Sequence, residues 1–186
     1  MHGLLAVSLL LGTLGLSACS GPGNLPPIPQ TSDADYRLGP GDQVRIITFG
    51  DEQLTGEFRV KDDGMVSVPL LGQIKAAGLT TNQLGTEVSQ DLVAKDLYKN
   101  PSVSVEVTAY RPVFVLGEVT RPGQYPYQPG MTVETAVAIA GGFTYRAVED
   151  AFKITRTIND KTIVGRAVPN TQARPGDVIT VYERSF

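Results

Sequence analysis

Residues Arg111–Gly142 read RPVFVLGEVTRPGQYPYQPGMTVETAVAIAGG, and the way this run divides decides the fold class. Val113, Phe114, Val115 and Leu116 form a short apolar run of the kind a fully buried strand shows. In Thr120-Arg121-Pro122-Gly123, Pro presets φ and Gly accepts a positive φ, so the chain is expected to reverse there into a second strand. Thr132 then offers an oxygen to the free N–H groups of a helix start, and Val133, Ala136, Val137 and Ala140 fall at i, i+3, i+4 and i+7. Gly141-Gly142 ends the helix. Strand, turn, strand and capped helix make a unit with a packing face and no reactive side chain, which points to binding or assembly.

Upstream, regular periodicity begins at Tyr36. Tyr36-Arg37-Leu38-Gly39-Pro40-Gly41-Asp42 is a turn feeding a strand in which Val44 and Ile46 alternate with Gln43 and Arg45. Phe58 and Val60 are expected to pair with Val66 and Val68 across the loop Lys61-Asp62-Asp63-Gly64, with Pro69 to Ile74 continuing as an edge or bent strand. Thr80 to Lys99 reads as the longest helix: Thr80 and Gln83 form a capping box, Leu84, Val88 and Leu92 a stripe, and Asp91 and Lys95 stand four apart before Asn100-Pro101 stops it. Val103, Val105 and Val107 alternate with polar residues as a half-buried strand. The order strands, helix, strand gives an α+β domain over 36–110, and a second over 111–186.

In the second domain Ala151 to Thr157 and Thr162 to Val168 read as two strands joined by Asn159-Asp160-Lys161. Pro175-Gly176-Asp177 then leads into Ile179 and Val181, echoing Pro40-Gly41-Asp42 with Val44 and Ile46. Two matches do not make a repeat, and Pro-Gly-Asp is a good turn in its own right.

At the N-terminus residues 4–18 (LLAVSLLLGTLGLSA) are apolar or small. As a helix they span roughly 22 Å, short of the ~30 Å hydrocarbon core. They read as a secretory signal over 1–18, and Leu16-Ser17-Ala18-Cys19 puts small residues before the cut. Residues 19–35, rich in Pro, Gly and Ser, read as a semi-extended tether unable to bury enough surface to fold.

Signal removal takes away the single His, leaving Cys19 as the one cysteine of the mature chain. No Cys/His nucleophile, Cys/His metal site or disulfide can then be built within it, and no catalytic residue, metal ligand or cofactor is expected. With net charge −3, pI ≈ 5.2 and scattered Lys and Arg, nucleic acid is not expected as a partner.

Leu16-Ser17-Ala18-Cys19 resembles a bacterial lipobox, which implies cleavage before Cys19 and acylation of its sulfur and new amino group; the plain alternative is a free or buried cysteine after an ordinary signal. Ser20 in the next position implies sorting to the outer membrane. The chain from Tyr36 to Tyr182 resembles the bacterial outer-membrane polysaccharide export family, the Wza-type lipoproteins. The opening Tyr36 to Asp42, Asp63-Gly64-Met65-Val66-Ser67-Val68-Pro69-Leu70-Leu71-Gly72, Ala77-Gly78-Leu79-Thr80 and Asn100-Pro101-Ser102-Val103-Ser104-Val105 are similar to the export domain. Leu116-Gly117-Glu118-Val119-Thr120-Arg121-Pro122-Gly123, Ala140-Gly141-Gly142 and Arg174-Pro175-Gly176-Asp177-Val178-Ile179 are similar to the β-grasp module called SLBB.

The resemblance implies a small export domain followed by one β-grasp domain, assembled as a homo-oligomeric ring in the periplasm. The ring would be lipid-anchored to the outer membrane and would conduct an exopolysaccharide or capsule chain. An inner-membrane co-polymerase is the implied partner. Larger members carry a C-terminal membrane helix, whereas this sequence stops at Glu183-Arg184-Ser185-Phe186, so a separate outer-membrane channel is left open as a further partner. The polymer-contacting residues are unassigned. Tyr110, Tyr125, Tyr127 and Tyr145 could stack on sugar rings, but turn and core packing is the preferred reading.

Two alternatives stand beside the conduit. A polysaccharide-modifying enzyme would need paired carboxylates, for which Asp51 and Glu52, or Asp62 and Asp63, are the adjacent pairs; both are expected in turns. A non-transporting ligand-binding or scaffold lipoprotein would be a monomer rather than a ring.

Overall fold

Alternation of apolar and polar side chains sets the first sheet. The computed structural model describes residues 24–30, 36–158 and 161–184; the signal, Cys19 and the turn Asn159-Asp160 lie outside the described residues. β1 (Gln43–Thr48) buries Val44, Ile46 and Thr48 and turns Arg45 and Ile47 outward. It pairs antiparallel with β2 (Asp51–Arg59), then, after β3 (Met65–Val68), β4 (Gly72–Lys75) and α1 (Thr81–Ala94), with β5 (Val103–Ala109). Asp51 and Glu52, expected in a turn, open β2 because the reversal is made by Phe49 and Gly50 just before them.

The expected pairing of Phe58 and Val60 with Val66 and Val68 does not form. Gly64 takes φ 79° and Lys61 N–H bonds to the Met65 carbonyl at 2.9 Å, so the turn is there, but the strands part into different sheets. Val60 is held instead by Asp42 and Gly41 of the first turn, and β3 pairs antiparallel with β4, Val66 opposite Ile74.

α1 begins as read: Thr80 Oγ1 accepts from Gln83 N–H and Gln83 Oε1 from Thr80 N–H, the capping box closing both ways. Leu84, Val88 and Leu92 are buried. The helix stops well before Lys99, because Asp96 turns left-handed at φ 56° and Leu97 N–H bonds back to the Leu92 carbonyl. Lys95 Nζ reaches the Leu71 carbonyl at 2.7 Å instead of Asp91.

The second sheet is built from β6 (Val113–Gly117), β7 (Gly123–Tyr125), β8 (Ala147–Ile158), β9 (Lys161–Ala167) and β10 (Val178–Glu183), with α2 (Val133–Ile139) between β7 and β8. Its order is β7-β6-β10-β8-β9, with β10 parallel to β6 and antiparallel to β8. α2 starts at Thr132, whose hydroxyl accepts from Thr135 N–H, and lays Val133, Ala136 and Val137 on one face of the sheet. β6 is half-buried, not fully buried. Val113 and Val115 are enclosed beneath α2, whereas Phe114 and Leu116 point to the uncovered face. The class is α+β, as the sequence reading expected.

The stretch read as a free tether is docked over part of its length. Ile28 N–H bonds to the Arg166 carbonyl at 2.9 Å and Arg166 N–H to the Pro26 carbonyl at 2.7 Å, so residues 26–28 lie parallel to β9 and join its edge by one bridge. Ile28 is 4% exposed in the second domain's core. Gly165 makes this approach possible, because a Cβ there would lie 2.8 Å from the Ile28 Cα. Arg156 Nη1 adds a bond to the Pro29 carbonyl at 3.0 Å.

Candidate functional site

The two Pro-Gly-Asp turns are built alike. Gly41 and Gly176 take φ 96° and 86°, which glycine alone adopts freely. The aspartate that follows folds its carboxylate back over the turn: Asp42 Oδ2 accepts from Gly39 N–H and Asp177 Oδ2 from Arg174 N–H, each at 2.8 Å. Main-chain bonds from Asp42 N–H to the Gly39 carbonyl and from Asp177 N–H to the Arg174 carbonyl close both turns. Both aspartates are buried, at 0% and 1% exposure.

A buried carboxylate requires a cation and hydrogen bonds to every lone pair it keeps. Asp177 takes the forked guanidinium of Arg156, Nε to Oδ1 at 2.9 Å and Nη2 to Oδ2 at 2.7 Å. Burial pushes the Asp177 carboxyl above the ordinary aspartate value, and the Arg156 fork pulls it back. Asp42 takes its cation from the other domain: Arg111 Nη1 donates to Oδ2 at 3.1 Å and Arg111 N–H to Oδ1 at 2.8 Å.

Arg111 also holds the second turn. Its Nε donates to the Pro175 carbonyl at 3.1 Å, and Gly176 N–H donates to the Pro112 carbonyl at 2.9 Å. One arginine thus clasps both turns. The room for it comes from Gly39, where a Cβ would sit 2.1 Å from Arg111 Nη1.

Aromatic side chains line the same junction. Tyr110 meets Tyr36 and Tyr127 edge to face at 5.1 and 5.3 Å, and the Arg111 guanidinium lies 5.7 Å from the Tyr36 ring centre. Tyr36 Oη donates to Asp42 Oδ2 at 2.6 Å. Burial, and then the Asp42 charge, push the Tyr36 hydroxyl well above the usual tyrosine range.

Of the tyrosines singled out in the sequence, Tyr110 and Tyr127 belong to this junction, Tyr125 bonds to the Arg121 carbonyl and packs on the second core, and Tyr145 is exposed. Asp51 acts locally at the start of β2: it accepts from Gln53 and Leu54 N–H and from Tyr98 Oη, and the Tyr98 bond lowers its carboxyl below the usual value. Asp63 accepts from Met65 N–H. Sequence reasoning noticed the repeated Pro-Gly-Asp but not that each Asp is buried on an arginine. An aspartate that follows Pro-Gly in a turn looks the same in sequence whether it is solvated or buried, and Arg111 carries no local pattern.

Among the described residues no group of three His, Cys, Asp or Glu is placed to hold a metal, and no helix is long and apolar enough to cross a membrane. Residues 30–108 match the family model described as polysaccharide biosynthesis/export protein, and residues 112–167 match the SLBB domain. The chain belongs to the polysaccharide export family. Arg111 falls between the two matched segments. Similar proteins include the exopolysaccharide production protein ExoF of Rhizobium meliloti, 35% identical over 119 residues, 58% of this chain and 28% of that one. EpsA of Ralstonia nicotianae, an EPS I polysaccharide export outer membrane protein, is 30% identical over 155 residues, 77% and 40%. The polysialic acid transport protein KpsD of Escherichia coli is 32% identical over 94 residues, 49% and 16%. This export-family chain therefore spans well under half the length of the curated relatives it matches.

Proposed function

We propose that this chain is the outer-membrane-anchored, periplasmic component of an exopolysaccharide or capsule export complex. It forms a ring-shaped conduit for the polymer, is attached through lipid on Cys19, and works with an inner-membrane co-polymerase. The observation that carries the reading is the order of the two matched modules and the Asp42–Arg111–Pro175 clasp that joins them. Export needs a rigid passage that binds its cargo weakly, since tight binding would stall transport, and a junction in which one arginine bonds to both turns supplies stiffness. The relatives' names, exopolysaccharide production, polysaccharide export and polysialic acid transport, support the cargo class. Cys19 stands seven residues before Pro26, where the docked strap begins. A lipid there would hold the second domain within about 25 Å of the membrane surface.

The test is to delete the gene and restore it either intact or as Cys19→Ser, then follow the polymer. Loss of polymer from the cell exterior, regained with the intact gene alone, is the expected result. Polymer that still reaches the exterior with altered length would replace the conduit with a tailoring role.

A further inference from the structure

The first domain carries a groove between its long helix and the outer strand of its sheet. β5 ends the order β2-β1-β5, and α1 packs beside it. Gly85 lets the two come close: a Cβ there would lie 3.4 Å from the Val103 carbonyl oxygen and 3.6 Å from Val105 Cγ2. A further strand would need a lane of about 4.8 Å along that edge, so at Val103 the helix leaves no room for a peptide to join the sheet. What remains is a hollow of about 460 Å³, walled by Asn82, Thr86, Ser89 and Gln90 on the helix and Ser104 on the strand. A second, of about 470 Å³, shares Ser89 and Gln90 and continues past Val93 and Pro101 to Lys99.

Charge is kept out of this groove. Glu87 and Asp91, the two charged side chains of α1, line neither hollow, Glu106 of β5 pairs with Arg45, and Lys99 is the one charged residue on the walls. Thr86 Oγ1 and Ser89 Oγ give their protons to the Asn82 and Pro101 carbonyls, at 3.0 and 3.4 Å, so toward the groove they accept, whereas the side-chain amides of Asn82 and Gln90 both donate and accept. A ligand that fits this lining is uncharged, carries hydroxyls that donate and accept, and has C–H faces to lie on Val93 and Pro101. A sugar chain has all three properties. A densely anionic chain would find a single cation there, with its remaining charges unpaired.

We infer that the groove between α1 and β5 is a contact site for the exported polysaccharide, taking an uncharged stretch of the polymer through its hydroxyls and ring C–H groups. The inference rests on the export reading above and adds where on this chain the cargo touches. Neutral hydrogen bonds on an open groove exchange readily with water, so the polymer is held weakly and let go, as passage requires. From Thr81 to Val93 the helix wall runs about 18 Å, which spreads that hold along the polymer.

The experiment labels the full chain with a small membrane-permeant maleimide in cells that make the polymer and in the same cells with polymer synthesis switched off. Asn82→Cys and Ser104→Cys report from the two walls, Glu87→Cys from outside the groove, and the intact chain, whose one cysteine is Cys19, gives the background. Labelling of both wall reporters is expected to slow about threefold when polymer is made, as at a site filled roughly two-thirds of the time, with Glu87→Cys unchanged. Removing two amides, Asn82→Ala with Gln90→Ala, is expected to abolish the protection of Ser104→Cys at unchanged protein level and urea midpoint; protection that persists would overturn recognition by these side chains. Equal labelling with and without polymer, in cells that still export it, would overturn the inference and leave the export reading standing. Wall reporters that stay slow when no polymer is made would assign the groove to a protein neighbour, and equal protection of Glu87→Cys would mean general masking; either result overturns the inference. Export that continues after the gene is deleted would remove the export reading itself, and the inference with it.

Discussion

Asp42 and Arg111 stand 69 positions apart in the chain and meet twice, once through the Arg111 main chain and once through its guanidinium. The carboxylate is fully enclosed and the arginine side chain is 24% exposed, so the pair lies at the edge of the water-free region. Four donors converge on that carboxylate: Gly39 N–H, Tyr36 Oη, Arg111 N–H and Arg111 Nη1. The first belongs to the turn itself, and the last two come from the other domain. The folding of the first turn is therefore linked to the presence of the second domain.

Removing one partner leaves the other charge buried and uncompensated. Asp42→Ala is expected to cost about 3 kcal/mol, near the lower end for broken buried pairs because Arg111 is partly solvated. Asp42→Ala and Arg111→Ala should be non-additive by about 1–3 kcal/mol in a double-mutant cycle read by urea denaturation. Arg111→Lys should rescue little, since an ammonium cannot hold Asp42 and the Pro175 carbonyl with a fixed fork. Strict additivity would mean that the two residues do not sense each other.

Tyr36 makes the same junction sensitive to alkali. Its folded pKa is raised from the ordinary 10.0 by burial first and by Asp42 next, so its contribution is whole below that value and is lost as the pH rises beyond it. Above pH 10 the unfolded chain releases the proton that the folded chain keeps. Tyr36→Phe should lower stability at neutral pH by about 1.5–3 kcal/mol, the usual worth of a hydrogen bond to a charged group, and should flatten the fall in stability above pH 10. Equal slopes in the two proteins would remove Tyr36 as the cause.

Much of this fold is written in local chemistry. Thr80 with Gln83 and Thr132 at its helix start are caps whose partners lie within one turn, and both helices begin where those residues stand. The alternation of Val44 and Ile46 and the reversal at Pro122-Gly123 are equally local. What could not be read depends on distant partners. Val60 leaves the expected hairpin because Asp42 and Gly41 claim its backbone, and Phe114 is exposed because a single helix covers a single face of the sheet. The junction was half legible: the paired turns were visible, whereas Arg111 acquires its meaning only when positions 42 and 175 arrive on either side of it.

The strap along β9 depends on the absence of a side chain at Gly165. Gly165→Val would drive a branched side chain into the Ile28 backbone, 2.8 Å from where its Cβ must sit. Hydrogen exchange should then show the Ile28 and Arg166 amides losing protection while amides of β10 keep theirs. Ile28→Ala, which leaves the backbone bonds possible, is expected to cost about 2–4 kcal/mol through lost burial. Unchanged protection in Gly165→Val would mean that the strap does not need this contact.

Leu70 carries strain that the rest of the fold offsets. It sits at φ 63° between Pro69 and Leu71, with Leu71 N–H bonded to the Pro69 carbonyl at 2.7 Å, so the hairpin from β3 to β4 closes through the rarer kind of γ-turn. An L-residue in the left-handed region costs about 1–2 kcal/mol, and Leu70 recovers little by packing because it is 63% exposed. Lys95 Nζ steadies the turn from α1 by binding the Leu71 carbonyl. Leu70→Gly removes the strain but loosens the unfolded chain by about 0.5–1 kcal/mol, so a net gain of several tenths to about 1 kcal/mol is expected, measured as a higher urea midpoint with an unchanged slope. Lys95→Met in the same background should return part of that gain, because the turn would lose the Lys95 bonds to the residue-70 and Leu71 carbonyls. A fall in midpoint for Leu70→Gly would show that the exposed leucine is held by contacts the turn geometry does not account for.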